Sequence, residues 1–160
     1  MRYVIREKIL SLGDNFTIKD SNENDIFRVR GKLLSLGNKL RLYSMDDSEL
    51  VYIEQKLFRF LPEYHIFMNN SFAALVKKEL SFLKPKLYIE STFGNYTVEG
   101  NIFAHNFQIN KDGYSIAGIY KKLISFTDSY EIEISESENQ AFILSLVIVI
   151  DQIFHDQKNK

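Results

Sequence analysis

The chain has 160 residues, 45% of them hydrophobic and 26% charged, with a formal net charge of −1 at neutral pH. This is the balance of one globular domain with a real core, without the basic surplus of a dedicated nucleic-acid binder, so no nucleic-acid partner is expected. With no cysteine at all, the chain has no disulfides, thiolate metal sites or thiol nucleophiles.

The first half reads as short strands separated by turns. Tyr3-Val4-Ile5 and Ile9-Leu10 open it, Gly13-Asp14-Asn15 interrupts, and Phe16-Thr17-Ile18 follows. After the polar stretch from Asp20 to Asp25, Phe27-Arg28-Val29-Arg30-Gly31 alternates with the period of two that a half-buried strand requires. Gly37-Asn38 has the composition of a tight hairpin turn before Leu40-Arg41-Leu42-Tyr43. Leu50 to Phe60 and Tyr64 to Met68 complete this half, with Pro62 between them, where a strand should not continue.

The second half takes the same order. Strands are expected at 72–83, 87–89, 96–103, 107–109, 115–126 and 130–134, with Asn110-Lys111-Asp112-Gly113 as a hairpin signal and Pro85 and Gly94-Asn95 as turns. The two halves also align residue by residue. Lys56-Leu57-Phe58-Arg59-Phe60 lies over Lys122-Leu123-Ile124-Ser125-Phe126, and Tyr64-His65-Ile66 lies over Tyr130-Glu131-Ile132. Phe27-Arg28-Val29-Arg30-Gly31 lies over Tyr96-Thr97-Val98-Glu99-Gly100. An internal duplication of about 8–68 and 78–134 within a single 1–160 domain accounts for this.

The last segment departs from the pattern. Ser135-Glu136-Ser137-Glu138-Asn139-Gln140 holds two overlapping capping boxes, Ser135 with Glu138 and Ser137 with Gln140. An apolar run then extends from Ala141 to Ile150 and is closed by Asp151. Four consecutive β-branched residues, Val147 to Ile150, favour a strand, but the pattern from about 138 to 155 is too long for one. A helix apolar on all sides must be buried, and ten apolar residues fall short of the roughly 20 that cross a bilayer. The expected architecture is therefore mainly β: about twelve antiparallel strands forming a barrel around a central C-terminal helix, with no transmembrane segment. Such a barrel is too wide for its own side chains to fill, and the helix supplies the missing core. Asp151 is either buried and ion-paired or the point where the helix emerges into water.

A barrel of two related halves around an apolar C-terminal helix resembles the tubby-like fold. Arg6-Glu7-Lys8-Ile9-Leu10-Ser11-Leu12, Phe16-Thr17-Ile18-Lys19-Asp20, Phe27-x-Val29-x-Gly31-Lys32 and Tyr96-x-Val98-x-Gly100-Asn101 point further, as do Asp128-Ser129-Tyr130 and the closing Val147-Ile148-Val149-Ile150-Asp151-Gln152-Ile153. In this order they are similar to the LURP-one-related family in its small bacterial, YxjI-type form. That resemblance implies a twelve-stranded tubby-like barrel and no established catalytic residues. By analogy with tubby domains and scramblases, it implies an anionic lipid headgroup or a protein as partner. The charged opening Met1 to Lys8 lacks the apolar stretch of a secretion signal, so the expected place is the cytoplasm, including its membrane periphery.

Catalytic, metal and cofactor signatures are lacking. His65, His105 and His155 are far apart in sequence with no helical partner, and no phosphate-cradling, dinucleotide or nucleophile-elbow motif occurs. Asp46-Asp47 sits in a polar turn where water accounts for it. The candidate ligand surface is basic: Arg28, Arg30 and Lys32, then Lys77 and Lys78 with Lys84 and Lys86 near them, then Lys121 and Lys122. These cations serve either an anionic lipid or the solvated outer face of a barrel. The alternative functional reading is a small-ligand binder or enzyme with its site at a barrel mouth.

Overall fold

The computed structural model describes residues 1–6, 15–32, 37–124 and 127–155. The expected Ile9-Leu10 strand and the match to residues 7–12 lie outside these. Twelve strands follow one another: β1 (Arg2–Arg6), β2 (Asn15–Asp20), β3 (Asp25–Lys32), β4 (Lys39–Ser44), β5 (Glu49–Gln55), β6 (Glu63–Met68), β7 (Ser71–Glu79), β8 (Lys86–Ser91), β9 (Tyr96–Asn101), β10 (Asn106–Lys111), β11 (Tyr114–Ile124) and β12 (Thr127–Ile134). A 3-10 turn, Ile102–Ala104, joins β9 to β10, and a helix, α1 (Gln140–His155), follows β12 at the end of the described residues.

All pairings are antiparallel, and β1 closes the sheet by pairing with β12 as well as β2. The sheet order runs β8-β7-β6-β5-β4-β3-β2-β1-β12-β11-β10-β9, so β8 and β9 are its two edges and the barrel is nearly closed. Alternation along the strands sends Ile5, Ile18, Val29, Leu42, Ile53 and Ile66 inward, each essentially inaccessible to solvent.

The helix fills the lumen as the apolar run demands. Every residue from Ala141 to Phe154 is buried, on all sides of α1. At about 1.5 Å per residue its 16 residues span about 24 Å. The β-branched run from Val147 to Ile150 is nevertheless helical, because burial against the barrel wall outweighs a propensity difference of a few tenths of a kcal/mol per residue. Ser145, fully buried, satisfies its hydroxyl by donating to the Phe142 carbonyl at 2.6 Å. No helix among the described residues is long and apolar enough to cross a membrane.

The structure corrects several local expectations. The helix cap is Asn139, whose Oδ1 accepts from the Phe142 N–H at 3.0 Å, rather than Ser135 or Ser137. Those serines belong to a preceding turn closed by Glu138 N–H to Ser135 O, so the helix begins later than the capping-box pattern suggests. Gly37-Asn38 is not a tight hairpin turn: Asn38 is buried and faces the helix. Three strands stop early. β5 ends at Gln55 and β7 at Glu79, and β9 gives way after Asn101 to the 3-10 turn. Lys56 N–H still reaches the Glu63 carbonyl, but the chain between them swings out, with Phe58 in the left-handed region at φ 58°. The expected hairpin signal at 110–113 is a turn at Asp112 (φ 49°) and Gly113 (φ 86°), the left-handed pair that a two-residue hairpin needs.

Candidate functional site

Antiparallel connectivity gives the barrel two unlike ends. Around the N-terminal end of α1 the connections are short and polar: 21–24, 45–48, 69–70, 92–95, 112–113 and 135–139. They contain Glu23, Asp46, Asp47, Asp112, Glu136 and Glu138 and no lysine or arginine. Hydrogen bonds hold carboxylates within and beside these turns in place. The Asn24 side-chain amide, with backbone N–H groups of Asn24 and Asn22, holds Asp20 below the usual carboxylate range, and the Ser44 hydroxyl does the same for Asp46. This end therefore remains anionic at neutral pH. Cations from the strands answer part of this charge: Lys111 Nζ lies 3.0 Å from Glu138 Oε2 just before the helix, Arg28 and Arg30 reach Asp47, and Lys19 lies 3.0 Å from Asp25.

The opposite end, around the helix C-terminus, is built differently. Inside it, the last buried turns of α1 are tied to the wall by polar contacts. His105 Nε2 lies 3.0 Å from Asp151 Oδ1, and its ring stacks on Tyr130 at 4.7 Å and 9°. On the other side Asn38 Nδ2 donates to Gln152 Oε1 at 2.9 Å and lies 3.4 Å from the Tyr64 hydroxyl, while Asn38 and Gln55 exchange two further bonds. Asp151 is thus buried and paired, the first of the two alternatives posed above. The space bounded by His105, Tyr130 and Asp151 has no room for a water molecule, so this cluster is an anchor rather than a ligand site. Replacing Asp151 with alanine leaves a buried imidazole without its carboxylate and is expected to cost about 3 kcal/mol, read as a fall in the urea midpoint at unchanged slope.

Outside, the connections at this end carry cations and apolar tips. The segments 56–62 (Lys-Leu-Phe-Arg-Phe-Leu-Pro) and 80–86 (Leu-Ser-Phe-Leu-Lys-Pro-Lys) hold Lys56, Arg59, Lys84 and Lys86 with no acidic residue. Lys78 N–H donates to the Pro62 carbonyl at 3.0 Å, carrying the β6–β7 ladder up to the base of the two loops. With Lys77 and Lys78 beside them there are six cations. Three carboxylates on the barrel wall answer them: Glu54 near Lys56, Glu63 near Arg59 and Glu79 near Lys86. The local surplus is three. Lys77, Lys78 and Lys84 have no ion pair among the described residues. A surface groove of about 510 Å³ runs between the loops, lined by the four cations Arg59, Lys77, Lys78 and Lys86 and by Glu63 and Glu79, which pair with Arg59 and Lys86.

The sequence-derived basic candidates do not converge on one place. Arg28 and Arg30 point outward from the barrel wall, as alternation predicts, and both reach Asp47: Arg28 Nη1 at 2.5 Å and Arg30 at 3.7 Å. Arg30 also lies over the Tyr43 ring. Lys32 is on the same strand, its side chain outside the described residues. Lys122 pairs with Glu131 at 2.8 Å, and Lys121 is exposed next to it. Lys77 lies over the Tyr88 ring on the outer wall. Lys78 differs from the outer-face expectation: it turns inward at the barrel mouth, 5.4 Å from the Phe154 ring at the end of the helix. Of the clusters expected, only Lys77 and Lys78 with Lys84 and Lys86 borders the two cationic loops; Lys32, Lys121 and Lys122 lie toward the same end on other strands. His65 and His105 are not gathered either: His65 pairs with Glu63 on β6 and His105 is inside the barrel, while the His155 side chain lies outside the described residues; no group of three or more metal-ligating side chains is found among the described residues.

The fold and chain match known proteins along nearly their whole length. The uncharacterized protein YxjI of Bacillus subtilis is 31% identical over 157 residues, covering 98% of this chain and 95% of that one. An X-ray structure of an Arabidopsis thaliana protein matches with a TM-score of 0.69 at 18% identity, over 95% of this chain and 91% of that one, a likeness of fold. A family model described as LURP-one-related matches residues 1–151. The tubby-like barrel, the central helix and this match agree with one another, and the chain belongs to the LURP-one-related family.

Proposed function

We propose that the protein is a non-catalytic module that binds the surface of an anionic membrane, with the helix C-terminal end of the barrel facing the lipid. The observation that carries this reading is the polarisation of charge along the barrel axis. A chain of net charge −1 places six cations against three carboxylates around two neighbouring loops, and its carboxylate-rich turns at the other end. Each lysine or arginine close to an anionic leaflet contributes about 1 kcal/mol, so a surplus of three supports weak, reversible, salt-sensitive association. The groove between the loops offers a phosphate headgroup Lys77 and Lys78, the two of its four cations without an ion pair among the described residues. Among the described residues the lumen is filled by the helix, every residue of which from Ala141 to Phe154 is buried.

The halves of the barrel support a companion proposal, an ancestral duplication. Tyr64 and Tyr130, aligned by sequence, are both fully buried, and each belongs to a cluster that holds one of two adjacent helix residues, Gln152 or Asp151.

Flotation with vesicles of phosphatidylcholine alone or with 30% phosphatidylglycerol tests the membrane reading. Flotation only with the anionic vesicles, abolished by 0.5 M salt, is the expected result. Equal failure with both vesicles removes the reading, and recovery of a stoichiometric protein complex instead transfers the cationic end to a protein partner.

A further inference from the structure

The most solvent-exposed apolar side chains in the described structure gather where the cations do. Phe58 and Phe60 are 101% and 91% exposed on the 56–62 loop, and Phe82 and Leu83 are 105% and 95% exposed on the 80–85 loop. A soluble domain gains nothing by presenting four large side chains to water at one end, and such a patch marks a contact surface. Phe58 adds a second anomaly. Its φ of 58° places a bulky residue in the left-handed region, where glycine or asparagine fits without strain. The free protein thus holds Phe58 in an unfavourable conformation and an unfavourable solvent.

Resting on the membrane reading above, we infer that these two loops form one hydrophobic wedge: Phe58, Phe60, Phe82 and Leu83 enter the acyl region while the surrounding cations stay at the phosphates. Charge complementarity identifies the occupant. The tips are interleaved with Arg59 and Lys84, so an apolar protein groove would have to accept buried cations, whereas an anionic bilayer meets tips and cations at their own depths. The Lys78 N–H to Pro62 O bond extends the β6–β7 ladder to the base of the loops, so both tips leave neighbouring strands at the same end and enter together. The helix C-terminus behind them, with Phe103 packed edge-on against Phe154 at 5.6 Å, gives the wedge a rigid base.

The chain contains no tryptophan, so a single introduced indole reports on one position. Phe82→Trp in the full chain is expected to show a blue-shifted emission and quenching by lipids brominated high on the acyl chain when phosphatidylglycerol-containing vesicles are added. Met45→Trp, at the carboxylate-rich end, is expected to show neither. Phe58→Asn relieves the strained backbone and is expected to leave the thermal midpoint unchanged or raised. It should nevertheless weaken vesicle binding about 10-fold, and the Phe58→Asn/Phe82→Ser pair about 100-fold. Binding to anionic vesicles without quenching, and without loss in these variants, overturns the wedge while leaving electrostatic docking standing. Absence of any binding overturns both.

Discussion

Deleting residues 139–160 is expected to abolish cooperative folding. Ten large apolar side chains between Phe142 and Phe154 are buried in the barrel lumen. At about 2 kcal/mol each they contribute roughly 20 kcal/mol of gross stabilisation, more than the whole net stability of about 5–15 kcal/mol of a typical domain. Their removal also leaves a lumen too wide for the wall side chains to close. The inward faces of Ile5, Ile18, Leu42 and Ile66 would then meet water instead of the helix. Thermal denaturation followed by circular dichroism checks this: no cooperative transition is expected. A sharp transition in the truncated chain would mean that the barrel does not depend on its helix.

The second large effect concerns binding. Reversing Arg59, Lys84 and Lys86 to glutamate changes the local charge by six, from a surplus of three cations to a surplus of three carboxylates. At about 1 kcal/mol per charge the full swing corresponds to about four orders of magnitude in affinity. Arg59 and Lys86 already share their charge with Glu63 and Glu79, so a loss of about 100-fold on anionic vesicles is the realistic expectation. The same reversal at Arg28 and Arg30 on the wall is expected to change binding less than 3-fold, because those side chains lie against Asp47 and away from the loop end. Flotation of both variants in parallel separates the two basic clusters that sequence alone ranked together.

How much of this was legible before the fold was known depends on range. The run from Ala141 to Ile150 reveals its own burial, since a helix apolar all round has nowhere else to go. The strands are legible by alternation, and the Asp112-Gly113 turn by its residue types. The cap is not legible in the same way, because Ser135, Ser137 and Asn139 are all competent, and which one caps depends on where β12 releases the chain. Asp151 was recognised as structurally ambiguous, but its partner His105 lies 46 positions away in sequence, beyond any local pattern.

The loop tips are not separable from strand by alternation alone. Leu50 to Phe60 and Phe72 to Leu83 read as long continuous strands because their apolar residues extend past the last ladder bond. Yet both stretches end in the same way, Phe-x-Phe-Leu-Pro at 58–62 and Phe-Leu-Lys-Pro at 82–85. Aromatic and leucine residues just before a proline, interleaved with cations, are the one local signal that could have separated exposed tips from buried strand. That the two loops lie side by side required the β5-β6-β7-β8 order, which only the structure supplies.

The most direct test of the central claim is amide hydrogen exchange of the full chain with and without anionic vesicles. Protection confined to residues 56–62 and 80–86, with 21–24, 45–48 and 112–113 unchanged, is the predicted result. Protection of the carboxylate-rich turns, or of the wall around Arg28 and Arg30 with the two loops unchanged, would contradict it.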